Sequence, residues 1–235
     1  MPRKKSDPFT GLGLKIVRPN GTTHNGYVWP PNVGDIATAP DWRDDTECGG
    51  GLHFWKDGEG NVTTCGYHAE KDAIGFVVAF VPGEERDCGG KHKAPRLRNE
   101  FRGTVREAAA WLCARRLAAK VIYGQATAGD YGQATAGGYG QATAGYSGQA
   151  TAGYSGQATA GDYGTISIRY YDRKLSVYRR KVAECDPAGP VKPWHTYKVS
   201  AEGEWVDLGE LPADKRPAAV MAAALAKVTA WKAKP

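Results

Sequence analysis

Between Gly124 and Tyr163 the chain repeats the octapeptide Gly-Gln-Ala-Thr-Ala-Gly-x-x five times without a gap or slip. A fixed short period restricts a chain more than any isolated motif, because every unit must pack against its neighbours in the same way. Within each octad Gln-Ala-Thr-Ala alternates polar and small apolar residues. An extended backbone therefore sends the alanines to one side and Gln and Thr to the other. The Gly-x-x-Gly between successive strands reads as a tight corner, with glycine expected to supply the positive φ. Two octads then close one flat coil. Five octads and the degenerate sixth, Gly164-Thr-Ile-Ser-Ile-Arg-Tyr-Tyr171, make about three coils, a β-solenoid roughly 14 Å tall at the strand spacing of a sheet.

In that arrangement Gln125, Gln141 and Gln157 line one face with Thr127, Thr143 and Thr159, and Gln133, Gln149, Thr135 and Thr151 line the other. Glutamines in register can form amide ladders, and the corner tyrosines Tyr131, Tyr139, Tyr146, Tyr154 and Tyr163 can stack or meet a partner. These fifteen side chains form the candidate binding or assembly surface. An all-alanine interior buries little area, about 25 cal/mol for each Å2, so the block is expected to need caps. Two segments are placed to supply them: a helix over 104–120, opened by the capping box Thr104-Val-Arg-Glu107, and a hairpin of Ile166–Tyr171 with Leu175–Val182. Strict period and alternation argue against a flexible linker.

The remaining segments predict an α+β, β-rich chain. Residues 1–12 read as a basic arm, and 13–120 as a small α+β module ending in the helix. The array takes 121–171, and 172–235 form a β-rich segment with a terminal helix over about 217–232. Strands are expected at Leu14–Arg18, Tyr27–Trp29, Asp35–Thr38 and Ile74–Val81, then at Trp194–Val199 and Glu204–Leu208. No run of about 18 apolar residues occurs, and the N-terminus lacks the apolar stretch of a signal peptide, so synthesis in a cytosol is expected, with packaging into a virion compatible. The net charge of +6 comes with no nucleic-acid fingerprint. Protein partners are expected, in a homo-oligomer or a virion assembly, and neither a membrane nor nucleic acid is.

Five cysteines, an odd number without a dense framework, fit reduced thiols. Cys65-x-x-His68 and Cys88-x3-His92 have the local spacing of a zinc site, with Cys48 and His53 as alternates. No cofactor is otherwise expected. A Cys/His nucleophile lacks an identifiable orienting group or oxyanion loop, and the Gly-rich 48–53 loop lacks the Lys-Ser/Thr ending of a phosphate loop. Catalytic residues are therefore not assigned.

The order Gly26-Tyr-Val-Trp-Pro30, Cys48-Gly-Gly-Gly-Leu-His53, a Val-Val-Ala-Phe-Val strand, the octads and Gly164-Thr-Ile-Ser-Ile-Arg-Tyr-Tyr-Asp172 resembles an uncharacterised family of bacteriophages and their hosts. In that family a Cys-Gly-x-Gly-Leu-His module precedes Gly-x-Ala-Thr-Ala-Gly octads. The resemblance implies a phage-type structural or interaction protein and brings no functional residues with it. The octads alone resemble those of ice-nucleation proteins, but so small a patch is a poor ice template. A weaker likeness of the Gly-Leu-His segment to the ADP-ribosyltransferase fold implies, as an alternative, a ligand-binding or NAD-dependent module acting on a host component.

Overall fold

The computed structural model describes residues 6–68, 70–115, 120–220 and 222. The chain divides into two compact units, Met1–Gly124 and Gln125–Pro235. The first is built on seven antiparallel strands: β1 (Gly11–Val17), β2 (Ile36–Thr38), β3 (Leu52–Lys56), β4 (Ile74–Phe80), β5 (Arg86–Asp87), β6 (His92–Ala94) and β7 (Arg96–Thr104). Their order across the sheet is β2-β7-β4-β1-β3-β6-β5.

The central strand β4 is apolar on both faces because both are covered. Phe76, Val78 and Phe80 join Trp29, Phe54 and Leu97 in one cluster. On its other face β4 packs against helix α1 (Val105–Cys113), which buries Ala108, Ala109 and Leu112. Gly75 permits that approach, since a Cβ there would lie 2.7 Å from the Thr104 carbonyl oxygen and 2.9 Å from the Ala108 methyl. The helix opens as its sequence dictates: the Thr104 hydroxyl accepts from the Glu107 amide at 3.2 Å, and the Glu107 carboxylate accepts from the Thr104 amide at 2.8 Å.

Several expectations are corrected. Strands β3, β5, β6 and β7 were not expected. Tyr27–Trp29 forms only one bridge, Thr22 to Val28. Its Trp29 instead turns inward and donates from Nε1 to the Asn99 carboxamide at 3.0 Å. Helix α1 is shorter than 104–120, and residues 116–119 lie outside the described residues. Residues 217–220 are helical, and most of the expected 217–232 helix lies outside the described residues.

The second unit begins with the octads, each contributing one strand: β8 (Gln125–Ala128), β9 (Gln133–Ala136), β10 (Gln141–Ala144), β11 (Gln149–Ala152) and β12 (Gln157–Thr159). It continues through β13 (Thr165–Asp172), β14 (Val177–Glu184), β15 (His195–Val199) and β16 (Trp205–Glu210). Alternate octads pair in parallel, Gln141 opposite Gln125 and Gln157 in one sheet, Gln149 opposite Gln133 and Thr165 in another. The sheets run β16-β15-β12-β10-β8 and β14-β13-β11-β9.

This corrects the expected fold class. The chain is a strand-rich fold of three multi-stranded sheets with few helices, not an α+β protein carrying a self-contained three-coil solenoid between caps. The octad strands form one end of each of two mixed sheets that run on without a break into antiparallel strands, β12 into β15 and β13 into β14. The physical reason lies in the interior. Ala134, Ala136, Ala142, Ala144, Ala150 and Ala152 are buried but offer only methyl groups, and the same core is completed by Ile166, Ile168, Tyr170, Val191 and Tyr197 from the later strands.

The corners are corrected as well. Positive φ falls on the residue before the second glycine, at Tyr131 (57°), Tyr139 (57°), Ser147 (49°), Ser155 (52°) and Tyr163 (58°). Each corner closes with a bond such as Gly132 N–H to the Gly129 carbonyl at 3.1 Å, and positive φ at the third position is what a type II turn requires. The glycines serve spacing instead. A Cβ on Gly153 would lie 2.7 Å from backbone atoms of Gly137 and Gly138, and one on Gly148 would lie 3.0 Å from the Gly132 carbonyl oxygen.

Candidate functional site

Two places in the molecule gather side chains that could engage another molecule. On the octads, the outward rows are ordered by different means on the two sheets. Gln125 donates from Nε2 to Gln141 Oε1 at 2.9 Å, and Gln141 donates to Gln157 at 2.9 Å, forming an amide ladder. Beside it lie Thr127 and Thr143. Thr159, expected at the surface, is buried, because β15 covers it and the Thr196 hydroxyl bonds it at 2.9 Å. On the other sheet Gln133, Gln149, Thr135 and Thr151 keep their outward places, but the third register is Thr165, so a ladder has no third carboxamide to extend into.

The tyrosines form two columns. In one, Tyr131, Tyr146 and Tyr163 meet edge to face at centroid distances of 5.7 and 5.6 Å. In the other, Tyr139 meets Tyr154 at 5.6 Å and Tyr154 meets Tyr178 of β14 at 5.5 Å. The sequence explains this packing. Tyrosine occupies the eighth position of the octad at 131 and 163 but the seventh at 146, and likewise the eighth at 139 but the seventh at 154. That shift offsets successive rings, so they pack edge to face, the arrangement a ring quadrupole favours. Backbone bonds lock the corners together: Tyr131 N–H donates to the Tyr146 carbonyl at 2.8 Å, and Asp130 accepts from the Tyr146 amide at 2.9 Å.

The second place is a cavity of about 670 Å3 in the N-terminal unit, under the Gly49–Gly51 loop. All three glycines of that loop have positive φ, and a Cβ on Gly51 would press on the Trp42 ring at 3.0 Å. Lys15, His53, Cys65, Tyr67 and Lys91 line the cavity, and Cys48 stands at its rim. The Lys15 ammonium is buried and donates to the His53 carbonyl at 2.8 Å. Burial lowers its pKa to about 8. His53 Nε2 accepts from the Gly49 amide at 3.2 Å. Burial first, and then Lys91, Lys15 and Lys93 nearby, lower the His53 pKa to about 3, so its ring is neutral at pH 7. Burial likewise raises the Cys65 thiol and the Tyr67 phenol.

The Cys48 sulfur lies 3.9 Å from His53 Nε2. That geometry resembles a nucleophile and base, yet a ring held so reluctant to take a proton is a poor base for a thiol.

The four residues expected as zinc ligands are not brought together. Strand alternation places His92 opposite Phe54, and His53, one residue away, opposite Lys93, so the two histidines project from opposite faces of the sheet. His68 Nδ1 lies 2.6 Å from the Cys65 carbonyl oxygen, while the Cys88 sulfur contacts the carbonyls of Glu47 and Arg86 at 3.7 Å. Among the described residues no group of three or more His, Cys, Asp or Glu side chains could hold a metal ion. Among them, too, no helix is long and apolar enough to cross a membrane.

No known protein family, curated protein or solved structure matches the chain.

Proposed function

We propose that the chain is a non-enzymatic interaction protein whose octads present a fixed aromatic and amide surface for assembly with further copies of itself, in the phage-type setting that the sequence resemblance implies. One observation carries this reading. Tyr131 and Tyr163 are 75% and 73% exposed, although their column is held by ring contacts and backbone bonds on every rung. Large rings left in water but already ordered lose little entropy when a partner covers them, and tyrosine is enriched at the cores of protein interfaces. Synthesis in a cytosol and incorporation into a particle fit the same reading.

The test is the solution mass of the full chain by light scattering, for the wild type and for Tyr131→Ser combined with Tyr163→Ser. Serine already holds the equivalent left-handed position at Ser147 and Ser155, so these corners accept it. A defined wild-type oligomer that dissociates in the double variant is the expected result. A wild type that stays monomeric, or an oligomer that the variant leaves intact, would remove the octad surface from the account.

A further inference from the structure

Several cations of the N-terminal unit have acidic partners. Lys56 pairs with Glu85 at 2.8 Å, Arg96 with Glu84 at 2.6 Å, and Arg98 with Asp7 at 2.8 Å. Lys93, whose side chain is wholly buried, meets Asp45 at 2.5 Å, bonds the Gly49 carbonyl at 3.0 Å and lies over the Trp42 ring. Burying an ammonium costs several kcal/mol unless an opposite charge and hydrogen bonds compensate. For Lys93 the chain provides both.

Lys15 contrasts with Lys93. It is only 6% exposed, it sits on the same sheet, and it forms no ion pair among the described residues. Its partners are one carbonyl oxygen, that of His53, and the face of Trp29 at 5.0 Å. Lys91 also lacks an ion pair among the described residues and reaches only the Thr64 carbonyl, at 3.4 Å. Both line the 670 Å3 cavity, where Asp41 is the one acidic residue among the described residues of the lining and His53 is neutral. The remaining walls include Tyr27, Phe54, Trp55 and Tyr67. A concave, largely apolar space of this volume with a few convergent polar groups is the usual form of a small-ligand site.

We propose that this cavity binds a small organic oxyanion, a carboxylate or phosphate attached to a flat apolar body, with Lys15 and Lys91 as its charge partners. The anion supplies the counter-charge that the chain gives to Lys93 but withholds from Lys15. The aromatic walls take the body of the ligand. This site lies wholly in the first unit, so it stands or falls independently of the octad surface.

Calorimetric titration of the full chain with adenosine monophosphate, indole-3-acetate and inorganic phosphate tests the proposal. At least one of the two organic anions is expected to bind about tenfold or more tightly than inorganic phosphate, because only it uses the apolar walls. Preference between the two separates a phosphate from a carboxylate ligand. Lys15→Met is expected to weaken that binding by roughly 30-fold or more while raising the melting temperature of the ligand-free chain, since an apolar side chain of similar length removes an uncompensated buried charge. Should Lys15→Met fail to fold, Lys91→Gln decides: about tenfold weaker binding supports the site, and unchanged affinity overturns it. Equal affinity of wild type and Lys15→Met, or no binding of either organic anion below millimolar concentration, would also overturn it.

Discussion

The two halves of this chain solve the problem of a core in opposite ways. In the N-terminal unit the core is made of large side chains of different shapes, Trp29, Phe54, Phe76, Phe80 and Leu97, each in one place. In the octad part of the C-terminal unit the core is made of the same methyl group repeated, and the backbone does the fitting. Shape diversity fixes the first core through side chains, so volume there is the sensitive quantity. Repetition fixes the second through the distance between rungs, so the sensitive positions are those with no side chain.

The largest expected break in that comparison comes from adding one methyl group to the second unit. Gly153→Ala would place a Cβ 2.7 Å from the backbone of Gly137 and Gly138, where no flexible side chain can yield. We expect a loss of about 3 kcal/mol or more, the upper end for overpacking, with hydrogen-exchange protection falling in β9 to β12. The reduction Phe54→Leu in the first unit, which removes several atoms, should cost less, about 1.5 kcal/mol, because the site can partly collapse. Urea denaturation of both variants compares them directly. Equal costs would show that spacing is no more critical than volume.

A second prediction concerns charge, which the first unit buries and the octads do not. His53 is held near pKa 3 in the folded chain, against an ordinary value of 6.5. Below pH 6.5 the unfolded chain binds a proton that the folded chain refuses, so stability falls as the pH drops from about 6.5 toward 3, by at most about 1.4 kcal/mol for each pH unit. Above that window His53 contributes nothing to the slope. Denaturation midpoints between pH 7 and 5 should decline less steeply in His53→Asn than in the wild type. Parallel declines would mean that the ring is not shielded from protons.

The smallest effect sharpens the account of the corners. Ser147 sits at φ 49°, a conformation that costs a residue with a Cβ about 1 kcal/mol and that asparagine tolerates best among such residues. Ser147→Asn should raise stability by about 0.5 kcal/mol in thermal unfolding. A loss would show that the serine hydroxyl contributes more than the backbone.

What the sequence revealed differs between the halves for the same physical reason. In the octads, period and alternation reveal the inward alanines, the outward glutamines and the sixteen-residue pairing distance, because each unit repeats one environment. They do not reveal which corner residue takes positive φ, since glycine is permissive everywhere and only the interrung contacts assign its role. They also do not show that β15 would cover Thr159. In the first unit, β4 and the Thr104 capping box are legible because their signals are local. Strand β7 is not, although Leu97 and Asn99 are buried between Arg96, Arg98 and Glu100 in strict alternation: the charges make the segment look like surface. The cavity was the least legible feature of all. It depends on Lys15 meeting the carbonyl of a residue thirty-eight positions away, and no short window of sequence contains both.

The alternate pairing of the octads also has a genetic consequence. Tandem repeats in a gene gain and lose whole copies. Adding or removing two octads returns every later strand to the sheet it now occupies, and the amide ladder simply lengthens or shortens by one glutamine. Adding or removing one octad exchanges the sheets, so β13 with Ile166 and Ile168 would arrive where β12 now pairs with β15. The array is thus counted in pairs, and natural length variants of this gene should differ by even numbers of repeats.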